Sequence, residues 1–280
     1  MRQITVISGK GGTGKTTITA MFAALAGDVV IADCDVDAPN LHILLKPRVL
    51  REEPFVGSKK AFITDACTAC GLCYELCRFN AIIPGEVYSV DDVRCEGCAL
   101  CFNACPEKAI EMRTVQSGRI FLSETDYGPM VHALLNPGEE NSGMLVSEVR
   151  ERAKHVAEER KARLVLLDAA AGIGCPVIAS LANADLAVVV AEPTLSGISD
   201  MERVIRLAEH FRIGCVVIIN KYDLNPDMAV RIEEVCREMN VEVLGKVPYD
   251  ASIPEQLSKL SFPFEGKAAR AIEAVWNSLR

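Results

Sequence analysis

Near the N-terminus, the stretch Gly9-Lys10-Gly11-Gly12-Thr13-Gly14-Lys15-Thr16-Thr17 constrains what this chain can fold into more than any other. An apolar, β-branched run at residues 4–8 precedes it, and a helical pattern reaching residue 26 follows. A strand, a glycine-rich turn and a helix in that order form a cradle for phosphate. The glycines let backbone N–H groups turn toward phosphate oxygens with no Cβ in the way. The start of the helix adds its positive end. In this pattern Lys15 reaches the β- and γ-phosphates and the Thr16 hydroxyl ligates Mg²⁺, while Gly11, Gly12, Thr13, Gly14 and Thr17 surround the phosphates. The bland alternative is a glycine-rich turn without a ligand. The closing Lys-Thr pair and the preceding strand argue against it.

Such a loop opens an α/β domain, and the rest of the chain agrees. Residues 29–32, 164–167, 186–190 and 216–219 are short continuous apolar runs of strand length, and 241–247 reads as a last strand. Helical spacing appears at 145–160, 199–211, 227–240 and 268–279. Buried strands alternating with helices predict a mostly parallel sheet covered on both faces. The alternation breaks once, between about residues 54 and 113, where cysteines crowd in. The stretch 120–122 reads as a short strand. Residues 124–143, rich in Gly, Pro and Asn, read as a long functional loop. The expected organisation is a discontinuous α/β domain at 1–55 and 117–280, with a small cysteine-rich domain inserted at 56–116.

Twelve cysteines are many for a chain of 280 residues. Eight of them form two runs, Cys67-x-x-Cys70-x-x-Cys73-x-x-x-Cys77 and Cys95-x-x-Cys98-x-x-Cys101-x-x-x-Cys105, the second followed by Pro106. This is the bacterial ferredoxin spacing, in which the fourth cysteine of each run ligates the other cluster. It predicts two [4Fe–4S] clusters, one on Cys67, Cys70, Cys73 and Cys105, the other on Cys77, Cys95, Cys98 and Cys101. Small residues at Ala69, Gly71, Gly97 and Ala99 allow the curvature that points thiolates at a cubane. Structural zinc is the alternative, but tetrahedral zinc favours separated C-x-x-C pairs. Cys34, Cys175, Cys215 and Cys236 are scattered; the first two lie in loops of interest, and buried small apolar residues are the simpler reading of both.

The extra Lys10 makes the phosphate loop resemble the deviant form of the MinD/ParA/Mrp and nitrogenase iron-protein group. Together with the inserted cysteine runs, it resembles the MinD-superfamily P-loop ATPase with an inserted ferredoxin domain. The resemblance runs over nearly the whole chain and includes segments 124–132, 138–143 and 172–178. It implies ATP and Mg²⁺ as ligands and a nucleotide-dependent dimer, of two copies or of this chain with a paralogue. Lys10 would then reach the partner's phosphates in trans, much as an arginine finger does. In Ala32-Asp33-Cys34-Asp35-Val36-Asp37, which resembles the first switch, Asp35 orients the attacking water and Asp33 lies near the metal. Asp168, ending an apolar strand, matches the Mg²⁺ aspartate. Gly172, in the second switch, could offer its N–H to the γ-phosphate; three alanines, Ala169, Ala170 and Ala171, stand where relatives carry a proline-containing loop. Asn220 matches the adenine-reading position and Pro248 the loop that closes over the base.

The resemblance fixes parts better than purpose; the leading reading is Mg-ATP binding and slow hydrolysis coupled to electron transfer through the clusters, with an unidentified redox protein as partner. Two other readings compete. An iron–sulfur assembly or carrier ATPase would hold a labile cluster on a late C-x-x-C pair, and Cys215 and Cys236 are far apart. A MinD-like positioning ATPase needs a C-terminal amphipathic membrane helix; residues 268–279 carry Ile272, Val275, Trp276 and Leu279 at helical spacing, but in an acidic chain with few basic residues there a last helix packed on the sheet is the favoured reading. A net charge of −8 argues against nucleic-acid binding and against an anionic membrane. With no signal peptide and no apolar run near twenty residues, the expected location is cytoplasmic.

Overall fold

The computed structural model describes residues 1–139, 142–259, 262 and 265–279. Glu140 and Asn141, within the segment 138–143 noted above, lie outside the described residues. The elements run in chain order as β1 (Arg2–Ser8), α1 (Lys15–Ala26), β2 (Val29–Cys34), α2 (Leu41–Leu45), β3 (Arg48–Phe55) and β4 (Ser58–Ile63). Next come α3 (Leu72–Leu76), β5 (Ile82–Ile83), β6 (Ser89–Val90), α4 (Leu100–Ala104), β7 (Ile110–Val115), β8 (Gly118–Thr125) and β9 (Gly128–Leu135). The remainder is α5 (Ser142–Arg160), β10 (Leu164–Ala171), α6 (Cys175–Leu181), β11 (Leu186–Ala191), α7 (Leu195–His210), β12 (Gly214–Asn220), α8 (Pro226–Glu238), β13 (Glu242–Val247), α9 (Ser252–Ser258) and α10 (Lys267–Leu279).

The chain divides into two compact units. One comprises Met1–Glu52, Ile120–Leu134 and the chain from Ser142 onward; the other comprises Glu53–Arg119 and the segment beginning at Leu135. In the first, the main sheet is ordered β13-β12-β11-β1-β10-β2-β9-β8-β3. Strands from β13 to β9 pair in parallel. Period-two alternation sends Ile4 and Val6 to one face, where they pack with Phe22, Ile31, Leu166, Ile272 and Trp276. Ile7 faces the other side, among Val189, Met201, Ile205, Val217 and Ile219. The sheet thus separates two apolar cores, one under α1 and α10 and one under α7 and α8. β1 lies between β10 and β11, so the phosphate loop leaves the sheet where consecutive strands depart to opposite sides, the usual ligand position in such sheets.

Residues 124–143 are not the long loop expected from their composition. Half of them fall in β8 and β9, joined through a tight turn at Asp126 and Tyr127. The Thr125 hydroxyl accepts from the Tyr127 N–H at 3.1 Å and donates to the Gly128 carbonyl at 2.7 Å, which closes that turn. Gly128 and Pro129 punctuate the start of β9 rather than ending order, and β9 then joins the sheet beside β2.

The second unit is built on two small antiparallel pairings, β4 with β7 and β5 with β6. Its apolar centre is Ala61, Ile63, Ile82 and Ile110, around which six of the clustered cysteines pack. On the opposite face of β4, buried Lys60 pairs with Glu139 at 2.6 Å.

Candidate functional site: a phosphate loop and two cysteine-lined cavities

The phosphate loop takes backbone conformations that its glycines permit. Gly12 and Gly14 have φ of 80° and 89°. A Cβ on Gly14 would sit 2.3 Å from Asn220 Nδ2, and one on Gly9 would sit 2.5 Å from the Asp200 backbone, so neither position admits a side chain. α1 begins at Lys15, with its first amides directed into a cavity of about 390 Å³. That cavity is lined by residues 11–18, Asp35, Ala171, Asn220, Lys221, Pro248, Tyr249 and Asp250.

Register brings the acidic residues together. β2 and β10 pair so that Asp33 lies opposite Asp168. Lys15 Nζ stands 2.8 Å from Asp168 Oδ1. The Thr16 hydroxyl donates to Asp168 Oδ2 at 2.8 Å and the Thr19 hydroxyl to Oδ1 at 2.7 Å. Asp33 accepts from the Asp35 and Leu41 amides, which folds the segment after β2 back on itself. Burial, and then the neighbouring Asp168 carboxylate, push Asp33 up to about 8. Asp35 is also raised, chiefly by burial. Two crowded carboxylates and the Thr16 hydroxyl are hard oxygen donors, a set that suits Mg²⁺.

Lys10 is tied down within its own chain. Its Nζ lies 2.6 Å from Glu192 Oε1 and also donates to the Thr194 and Ser196 hydroxyls. Glu192 further pairs with Lys221 at 3.3 Å, and these two cations outweigh its burial and hold its pKa low. The Gly172 N–H donates to the Ser8 carbonyl at 3.0 Å, and φ of 103° at Gly172 lets the chain turn after β10. Asn220 donates from Nδ2 to the Thr13 carbonyl at 2.6 Å, while its Oδ1 accepts from the Lys221 N–H. Lys221 Nζ donates to the Gly12 carbonyl at 2.8 Å. Lys221 follows Asn220 at the adenine-reading position, whereas no sequence motif marks Glu192 or Thr194. The available signal was position: each lies at or just past the carboxyl end of a parallel strand, beside the phosphate loop.

In the second unit the cysteines line two small cavities. Cys67, Cys70, Cys73 and Cys105 line one. Cys77, Cys95, Cys98 and Cys101 line the other, so the fourth cysteine of each run crosses to the cavity of its neighbour. Ala69 and Ala99 have φ of 51° and 59°, the left-handed turn that curls each run. Backbone amides of Ala69, Ala81 and Ala109 donate to the sulfurs of Cys67, Cys77 and Cys105 at 3.4, 3.4 and 3.3 Å. Burial raises the Cys73 and Cys101 thiols. Among the described residues, no group of three or more His, Cys, Asp or Glu side chains is arranged to hold a metal ion. Of the other cysteines, Cys34 and Cys236 are buried and Cys175 is exposed at the start of α6. Burial drives the Cys34 thiol far above its ordinary value.

Residues 4–264 match the CobQ/CobB/MinD/ParA nucleotide binding domain. An uncharacterized protein of Methanocaldococcus jannaschii is 30% identical over 99% of this chain and 96% of its own length. The septum site-determining protein MinD of Synechocystis is 26% identical over 90% of this chain and 77% of its own. Among solved structures, the septum site-determining protein MinD from Pyrococcus horikoshii, complexed with Mg-ADP, superposes with a TM-score of 0.59. That alignment covers 99% of this chain and 95% of that one at 19% identity. With its phosphate loop, parallel sheet and carboxylate pair in place, the chain belongs to the CobQ/CobB/MinD/ParA nucleotide-binding family and is a MinD/ParA-like nucleotide-binding ATPase.

Proposed function

We propose that this chain is a MinD-like ATPase whose small unit carries two [4Fe–4S] clusters, and that nucleotide turnover is coupled to electron transfer through them. The observation that carries the cluster assignment is the pair of cavities, each lined by four cysteines with the fourth exchanged between runs. The donor set fits: four soft thiols per cavity, with backbone N–H groups aimed at sulfur. A cubane spreads its thiolates more widely than one tetrahedral ion, whose ligands converge at about 2.3 Å from the metal. When bound, the clusters would supply one-electron chemistry; the protein sets their solvent exposure and hydrogen bonding. At the phosphate loop, Lys15 would neutralise the phosphates, with Mg²⁺ on Thr16, Asp168 and Asp33. Asp35, which lines the cavity, would orient the attacking water. Lys10 would leave Glu192 to act on a partner's nucleotide, which makes the active species a dimer. A cytoplasmic location and a redox protein as partner complete the reading.

A second reading drops electron transfer and keeps a MinD-like positioning ATPase. The named relatives speak for it more directly, since the Synechocystis protein is a septum site-determining MinD. One feature weighs against the membrane helix of that reading: α10 buries Ile272, Val275, Trp276 and Leu279 in the core beside α1 and β13, with Trp276 against Phe22 at 5.0 Å between ring centroids. No helix among the described residues is long and apolar enough to cross a membrane. The assembly-carrier reading gains nothing, because Cys215 lies on β12 and Cys236 is buried in α8. Metal and acid-labile sulfide analysis of anaerobically prepared protein separates the cases. About eight irons per chain are expected from two cubanes. Stoichiometric zinc, or protein that hydrolyses ATP with neither iron nor sulfide, would leave the plain MinD-like ATPase.

A further inference from the structure

If the cavity beside the phosphate loop takes a nucleotide, some part of its lining must read the base. Asn220 is poorly placed to do so alone. Its Nδ2 donates to the Thr13 carbonyl, its Oδ1 accepts from the Lys221 amide, and Lys221 in turn holds the Gly12 carbonyl. These two residues fasten the carbonyls of the phosphate loop. Any remaining Asn220 N–H could reach purine N7, an acceptor that adenine and guanine share. Discrimination therefore falls on position 6, a donor amino group in adenine and an acceptor oxygen in guanine.

The segment facing that edge is Pro248-Tyr249-Asp250. Pro248 has no N–H to offer. The Tyr249 N–H donates to Asp223 Oδ1 at 2.6 Å. Lys267 Nζ holds the other oxygen of the same carboxylate at 3.3 Å. Further along, Asp250 accepts from the Ser252 amide and hydroxyl and from the Ala268 amide. The Tyr249 amide is thus held by Asp223, which does not line the cavity, and in the same planar trans peptide the Pro248 carbonyl points the opposite way. We propose that Asp223 is a specificity-determining positioning residue: by engaging the Tyr249 amide it makes the base-closing loop an acceptor surface, which accommodates adenine and rejects guanine. This rests on the reading of the cavity as the nucleotide site. The Tyr249 hydrogen bond, with help from Lys267, keeps the Asp223 carboxyl below its ordinary range, so it stays an acceptor at neutral pH.

The test is direct binding of fluorescent ATP and GTP analogues, with Mg²⁺, to the full chain and to Asp223→Ala and Asp223→Asn. The wild-type chain should favour ATP. Asp223→Ala frees the Tyr249 N–H to meet guanine O6, so the ATP:GTP preference should shrink about tenfold, the scale of one buried acceptor left facing another. Asp223→Asn keeps an oxygen for the Tyr249 N–H and should stay near the wild-type ratio. Equal weakening of both nucleotides in Asp223→Ala would reduce Asp223 to loop support and overturn the proposal. A wild-type chain without base preference, or an Asp223→Asn as permissive as Asp223→Ala, would overturn it too. Failure of both nucleotides to bind the wild-type chain would instead remove the site reading itself, an outcome distinct from an unchanged ratio.

Discussion

At the scale of single residues, two lysines in one loop carry different duties. Lys15 is buried against Asp168 and faces the phosphate end of the cavity, whereas Lys10 is held outward by Glu192, Thr194 and Ser196. Lys15→Ala should weaken ATP binding roughly a hundredfold, the loss expected for a desolvated charge-assisted contact. Lys10→Ala should bind ATP almost normally yet lose ATP-dependent dimerisation and most turnover. Equilibrium binding, light scattering and phosphate release measure the three quantities; normal hydrolysis by Lys10→Ala would remove the trans-lysine role. His132 gives a residue-scale effect on stability. It is buried, its Nε2 lies 3.0 Å from the Ser123 hydroxyl, and its ring stacks on Phe121 and His42. Burial, and then His42, lower its pKa to about 4. Below an unfolded value of about 6.5 the unfolded chain binds a proton that the folded chain refuses, so stability falls as pH drops from about 6.5 to about 4. The ceiling on that loss is about 3 kcal/mol, from 1.36 kcal/mol per pKa unit. Thermal unfolding across that window should show the fall in wild type and a flatter profile in His132→Gln. Equal slopes would place the acid sensitivity elsewhere.

At the scale of elements, the two cysteine runs act as one device. Each run curls through a left-handed alanine or glycine and then starts a five-residue helix, α3 or α4. The helix carries the fourth cysteine away from its own cavity: Cys77 meets Cys95, Cys98 and Cys101, and Cys105 meets Cys67, Cys70 and Cys73. On the two-cluster proposal, Cys77→Ser should therefore damage the cluster of the second run, not of its own. Iron content and paramagnetic resonance of reduced protein would follow the loss, and Cys95→Ser should produce the same spectrum. Spectra that pair Cys77→Ser with Cys67→Ser instead would contradict the exchanged arrangement.

At the scale of the whole molecule, the small unit is joined by chain to the ATPase unit at Glu52–Glu53, Arg119–Ile120 and Leu134–Leu135, and the chain returns at Ser142 into α5. The first junction follows the Asp33–Asp37 segment and the last precedes the strand bearing Asp168. A nucleotide-driven rearrangement of those segments, where phosphate and Mg²⁺ contacts exist in one state only, would reach the cysteine unit through its own backbone. Linkage makes any such effect reciprocal: if ATP shifts a cluster potential, reduction shifts ATP affinity by the same free energy. A tenfold affinity change corresponds to about 59 mV for one electron. Redox titrations with and without ATP in Asp35→Ala, which should hold ATP unhydrolysed, would be paired with nucleotide binding to oxidised and reduced protein. Identical potentials together with identical affinities would mean two units that merely share a chain.

Much of this was legible in order along the chain, because the chemistry is packed into a few adjacent residues. The phosphate loop needs only a strand, glycines and Lys15-Thr16 in sequence. The parallel sheet declares itself in apolar runs alternating with helices. The spacing of each run places three of its cysteines on one cavity, and only the fold brings the fourth across from the other run. Composition misled at residues 124–143, where Gly128 and Pro129 mark a strand start and a hairpin turn is closed by the Thr125 hydroxyl. What no local pattern carried were the partnerships across the sheet. Asn220 reaches the Thr13 carbonyl over 207 residues, and Lys10 reaches Thr194 over 184. Asp33 meets Asp168 only because β2 and β10 pair in that register. Asp223 acts on Tyr249 only because β12 and β13 are neighbours and end at the same edge. Spacing along a chain encodes which groups share a turn, but strand order and register decide which turns meet. Those are properties of the packed sheet, set by how its two apolar faces are buried together.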